Sequence, residues 1–110
     1  MKMTLSEYQE KAATTALYPK EQGMAYTVLG LNGEAGELAD KYKKVIRDSQ
    51  GKMSDETRLA MSKELGDVLW YVAMCAKELG SDLETIAQMN LDKLFSRQKR
   101  GQIQGAGDNR

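Results

Sequence analysis

Histidine is absent from this 110-residue chain, and cysteine and proline occur once each. Without histidine there is no Ser–His or Cys–His nucleophile pair of the usual kind and no imidazole-built zinc site. A ferritin-like di-iron site, which needs Glu-x-x-His pairs, is excluded too. The lone Cys75 cannot form an intrachain disulfide, and its place in an apolar run marks it as a small buried residue. No apolar run is long enough to cross a bilayer, and Met1-Lys2-Met3-Thr4 does not lead into the continuous apolar stretch of a signal peptide. The expected location is therefore cytoplasmic. Sixteen basic residues balance sixteen acidic ones, so no global field draws the chain to nucleic acid or to a membrane. β-Branched residues are sparse and no segment alternates polar with apolar, so no strand is expected.

What remains is helical periodicity. Thr4-x-x-Glu7 has the form of a capping box, and apolar residues follow at helical spacing, so a first helix is expected from about Thr4 to Tyr18, ended by Pro19. A second is expected over about Met24 to Arg47, with Val28, Leu31, Ala35, Leu38, Tyr42 and Val45 as its apolar stripe. Ser54, followed by Asp55 and Glu56, starts a third that carries Leu65, Val68, Leu69, Val72 and Ala76 and closes at Gly80. Ser81-x-x-Glu84 is a second capping box, opening a fourth helix to about Arg100 with Leu83, Ile86, Ala87, Asn90 and Leu94 inward. The expectation is an all-α, antiparallel bundle of about four helices in residues 1–100. Residues 101–110 form a glycine-rich tail that suits either a lid or plain disorder. Helical domains of this size often complete their core as homodimers or higher homo-oligomers.

Two short segments echo each other: Glu34-Ala-Gly-Glu37 and Glu64-Leu-Gly-Asp67. Residues three apart share a helix face, so each step sets two carboxylates side by side. One such pair alone is common on a solvated face. Two pairs, each bordering an apolar stripe, can meet if the second and third helices pack antiparallel. Four carboxylates at the edge of a core need compensation, and a hard divalent cation supplies it. With neither histidine nor a usable thiol the donors are all oxygen, which favours magnesium, or manganese, over zinc. Gly30, Gly33, Gly36 and Gly66 each cost about 1 kcal/mol relative to alanine inside a helix. Close approach of a backbone or ligand is the expected return.

These blocks, within Leu29 to Asp40 and Lys63 to Tyr71, together with Asn90-x-x-Lys93-Leu94-x-x-Arg97, resemble the MazG-like branch of the all-alpha nucleoside triphosphate pyrophosphohydrolases. The resemblance runs from about Thr4 to Arg100. It implies magnesium-dependent hydrolysis of a nucleoside triphosphate to monophosphate and pyrophosphate, in the service of nucleotide-pool housecleaning. Glu34, Glu37, Glu64 and Asp67 would be the metal-binding and catalytic residues, with the general base among the glutamates unassigned. Related enzymes of the same fold act on phosphoribosyl-ATP or pyrimidine deoxynucleotides. A non-catalytic helical dimerisation or regulatory module is the reading from another class.

A triphosphate also needs cationic donors. Asn90, Lys93 and Arg97 share one face of the fourth helix and form a candidate phosphate-binding edge, although basic residues there also complement the helix dipole. Lys41, Lys44 and Lys63 are weaker candidates. Trp70 and Tyr71 directly beyond Asp67, and Tyr26 before the first acidic pair, are candidate base contacts or ordinary core aromatics.

Overall fold

The computed structural model describes residues 2–109 and contains four α-helices, with no strand among the described residues. They are α1 (Leu5–Ala13), α2 (Gly23–Ser49), α3 (Asp55–Glu78) and α4 (Leu83–Arg100), with a 3-10 turn at Lys20–Gln22. The expected all-α class is what the chain adopts. None of the helices is long and apolar enough to cross a membrane.

The helix starts follow side-chain capping. Thr4 Oγ1 accepts from the Glu7 amide, and Glu7 Oε1 accepts from the Thr4 amide at 3.1 Å, which completes the expected box. Ser54 caps α3 through the Thr57 amide. At α4 the cap is Asp82 instead of Ser81: its carboxylate accepts from the Glu84 amide at 2.9 Å and from the Ser6 hydroxyl at 2.6 Å. Both bonds hold its pKa below the ordinary aspartate value. The first helix is shorter than its periodicity suggests. Thr14 and Thr15 turn their hydroxyls back onto the Lys11 and Ala12 carbonyls, at 2.7 and 2.6 Å, and the chain leaves the helix well before Pro19.

Helices α2 and α3 form the longest contact in the molecule, an antiparallel pair. On α2 the residues withdrawn from solvent include Thr27, Leu31, Glu34, Leu38, Lys41 and Val45, at steps of four and three. On α3 they include Thr57, Met61, Glu64, Val68, Tyr71, Cys75 and Glu78, at the same steps. An average step of 3.5 is that of two helices meeting at a shallow angle along a seam. The seam differs from the expected stripe: Val28, Ala35 and Tyr42 lie exposed, while Glu34, Lys41 and Glu64 lie within it. Leu65 and Leu69 of α3 are exposed as well.

The small core sits at the other end of α3. Ala12, Ala73, Met74 and Leu83 are buried there, with Tyr8, Ala13, Ala16, Tyr18, Trp70 and Val72 packed around them. Gln9 ties this corner together. Its amide nitrogen donates to the Ala73 and Ser81 carbonyls, and its oxygen accepts from the Leu83 amide. Helix α4 touches α1 and α3 but not α2. Leu83 is buried and Ile86 and Ala87 half-buried, but Asn90 and Leu94, expected inside, are exposed. Further along α4, Leu91 and Phe95 are exposed as well. The radius of gyration, 16.8 Å, exceeds the roughly 13 Å of a close-packed domain of this length. After α4 the chain turns at Gly101, whose φ of 69° is left-handed. The tail then folds back along α4, with the Gln102 amide donating to the Arg97 carbonyl at 2.7 Å.

Candidate active site

The seam register brings three of the four expected carboxylates together. One oxygen each of Glu34, Glu64 and Asp67 lie within 4.8 Å of one another. Glu37 stands one turn further along α2, exposed and outside this group. Helix geometry explains the difference. Residues 34, 38 and 41 face α3, and a step of three from Glu34 carries Glu37 toward the solvent side of the seam.

The site is short of positive charge. Among the described residues only Lys41 approaches, with Nζ 3.8 Å from Glu64 Oε1. Glu64 Oε2 is buried and has no donor. The Glu34 carboxyl is pushed above the ordinary glutamate value, chiefly by a hydrogen bond shared with Glu64, then by burial and by repulsion from Glu64, Asp67 and Glu37. A proton or a cation would relieve this repulsion. An orphaned, buried carboxylate oxygen within a set of purely carboxylate donors fits a hard divalent ion.

An open cleft of about 330 Å³ adjoins the acids, lined by Thr15, Glu34, Asp67, Trp70 and Tyr71. The expected aromatic pair is therefore beside the carboxylates. Trp70 Nε1 donates to Thr15 Oγ1 at 2.9 Å, which ties the indole to the turn after α1. Trp70 and Tyr71 meet edge to face at 5.0 Å, and Tyr26 stacks on Tyr18 at 4.9 Å and approaches Tyr71 at 6.2 Å. The Tyr18 hydroxyl donates to Glu78 Oε2 at 2.8 Å. Its pKa is pushed up to about 12 by burial, by that bond and by the Glu78 charge. Burial, contact with Tyr26 and the charges of Glu34 and Asp67 raise Tyr71 as well. Thr15 was missed in the sequence; the signal available was a Thr-Thr pair just ahead of the only proline.

Gly30 meets the expectation of close approach, because a Cβ there would overlap the Tyr71 ring. Around Gly33, Gly36 and Gly66 nothing of this chain lies within 4 Å of where their Cβ atoms would be. Their helix faces look away from the seam. The expected phosphate edge is not part of the cleft in the single chain. No α4 residue lines the cleft, Asn90 is exposed, and Lys93 and Arg97 are engaged with Asp108 of the tail. Lys44 pairs with Asp40 at 3.0 Å, on the solvent side, and Lys63 is exposed.

Residues 22–101 match the family model of the MazG nucleotide pyrophosphohydrolase domain. The match starts at the end of the 3-10 turn and ends just past α4, so it holds the carboxylates, both cleft aromatics and the basic face of α4, but neither Thr15 nor the tail. The Gene 37 protein of Mycobacterium phage L5 is 48% identical over 114 residues, covering 98% of this chain and 100% of that protein. No solved structure gives a significant match. With 80 of its 110 residues inside the model and its three motif blocks in order, the chain belongs to the MazG nucleotide pyrophosphohydrolase domain family.

Proposed function

We propose that this protein hydrolyses nucleoside triphosphates, in a magnesium-dependent reaction, to the nucleoside monophosphate and pyrophosphate, and that it serves to clear unwanted nucleotides. The observation that carries this reading is the group of Glu34, Glu64 and Asp67 beside an aromatic-walled cleft, with one buried carboxylate oxygen lacking a donor. Magnesium held by these three acids, with Glu37 as a fourth ligand and manganese as a substitute, would offset phosphate charge and lower the pKa of a water.

The chain's own groups divide the remaining work. Trp70 and Tyr71 give the cleft an apolar wall against which a base can lie, and Thr15 holds the indole in place. Asn90, Lys93 and Arg97 hold non-bridging phosphate oxygens and stabilise charge building on the departing pyrophosphate.

α4 makes no contact with α2 and lends no residue to the cleft, which supports an active form that is a homodimer in which α4 of each copy serves its partner's cleft. Val28, Leu29 and Ile46 on α2, Leu59 and Leu65 on α3, and Met89 and Phe95 on α4 all expose about half or more of their surface, which a second copy would cover.

The reading is tested by incubating the purified protein with common and modified nucleoside triphosphates, with magnesium and with EDTA, and separating products by anion exchange. Monophosphate formed only with magnesium, and lost in Asp67→Asn, supports it. Turnover confined to phosphoribosyl-ATP or to pyrimidine deoxynucleotides would change the substrate and keep the chemistry. No turnover of any of them would favour a non-catalytic module.

A further inference from the structure

The cations of α4 already hold an anion. Asp108 Oδ1 lies 3.0 Å from Lys93 Nζ and 3.3 Å from Arg97 Nη2, and the Asp108 carbonyl accepts from Arg97 Nη2 at 2.6 Å. The two partners are unlike in burial. The Arg97 side chain is 5% exposed, whereas that of Asp108 is 81% exposed. An arginine withdrawn from water is thus matched by a carboxylate that stays in water, brought there by a tail without regular structure.

The match is also incomplete. A guanidinium offers a fork in which Nε and one terminal nitrogen donate in parallel to two oxygens of one acid. Asp108 engages Nη2 alone, and Arg97 Nε is buried with no partner. Phosphate groups, with three oxygens apiece, can fill both prongs and Lys93 together. The tail reaches this position through three positive-φ glycines, Gly101 at φ 69°, Gly105 at φ 128° and Gly107 at φ 86°, so it is shaped to return to α4. Past Gln102 its described residues form no helix or strand, so departure of Asp108 from α4 breaks no element of the fold.

We propose that the C-terminal tail is an internal competitor for the phosphate edge: Asp108 occupies Lys93 and Arg97 until the phosphates of the nucleotide or of pyrophosphate displace it. This rests on the reading of Lys93 and Arg97 as phosphate ligands. The tail screens a buried cation while the site is idle and raises the phosphate concentration needed to engage it. A site that is competent for only part of the time binds with an affinity reduced by that fraction.

The test is titration of the full-length protein with inorganic pyrophosphate in EDTA, by calorimetry, for wild type, Asp108→Asn and Lys93→Gln. If the tail occupies the cations roughly 70–90% of the time, Asp108→Asn tightens pyrophosphate binding about three- to tenfold. In the wild type, the Gly105 and Gly107 amide resonances move toward random-coil positions as pyrophosphate saturates. Unchanged or weaker binding in Asp108→Asn, with Lys93→Gln still weakening it, overturns the competitor and leaves the phosphate edge standing. If Lys93→Gln has no effect either, the phosphate edge itself fails, and the competitor with it.

Discussion

Replacing Glu64 by glutamine should make the metal-free protein more stable and the enzyme inactive. Glu64 sits between α2 and α3 with one oxygen buried without a donor, and its carboxylate lies within 4.8 Å of those of Glu34 and Asp67. Two unit charges at that separation repel by about 3 kcal/mol at an effective dielectric constant of about 20. Asp67 is exposed, so screening by water reduces the recoverable part to about 1 kcal/mol. Glutamine has the same shape, removes the charge and brings an N–H donor that a neighbouring carboxylate can accept. The Lys41 contact, at 3.8 Å and half in solvent, offsets little of this. For a domain of this size about 1 kcal/mol corresponds to a rise in Tm of roughly 4 °C. Magnesium at ten times its Kd adds about 1.4 kcal/mol to the wild type, and this increment should vanish in the variant. Turnover should fall about a hundred- to a thousandfold. Calorimetry in EDTA and in magnesium, with a nucleotide assay on the same samples, measures all three. A lower Tm in EDTA, or a magnesium increment that survives the substitution, would refute the assignment of these acids to a metal.

The same electrostatics set the pH dependence. Because the folded-state pKa of Glu34 is raised, the folded chain binds a proton just above the ordinary glutamate pKa where the unfolded chain does not, so stability in EDTA falls as pH rises through that window. Thermal melts in EDTA should therefore give a higher Tm near pH 5 than at pH 7, with magnesium removing the difference. Asp40, held down at about 2 by Lys43 and Lys44, makes stability depend on pH only in a lower window: its stabilisation is complete above 3.8 and is lost toward pH 2. Gly30→Ala should displace the Tyr71 ring, lower stability by roughly 1–3 kcal/mol and raise KM, as melts and steady-state kinetics would record. Refolding Glu64→Gln with Lys93→Gln as an equal mixture should recover about a quarter of wild-type activity if α4 serves the partner's cleft, because half the dimers then hold one intact site. No recovery would place the edge and the cleft in one chain.

Much of the fold was legible because α2 and α3 are long and their ends carry clear signals: Ser54 at the start of α3, and Gly80, with φ 72°, after its end. The seam was legible only in part. Two stripes on α2 share Leu31, Leu38 and Val45, and they differ in whether Val28, Ala35 and Tyr42 or Thr27, Glu34 and Lys41 lie beside them. Apolar periodicity selects the first stripe. Pairing with α3 selects the second, because Tyr71 needs the gap at Gly30 and the acids face one another. That choice is tertiary, and it is what separates Glu34 from Glu37. The break after Ala13 was hidden because Thr14 and Thr15 fit the helical period, while their hydroxyls end the helix by bonding the preceding turn. The return of the tail was not legible at all. Three glycines without periodicity do not reveal that Asp108 meets cations fifteen and eleven residues earlier.

If Glu34, Glu64 and Asp67 hold a metal for cleavage that yields pyrophosphate, the products and their metal dependence are fixed together. Phosphorus NMR of a nucleoside triphosphate incubated with the protein and magnesium tests it most directly. The monophosphate and pyrophosphate signals should grow together, at equal rates, and both should cease when EDTA is added. Orthophosphate and diphosphate nucleotide appearing instead, or pyrophosphate release that continues in EDTA, would contradict it.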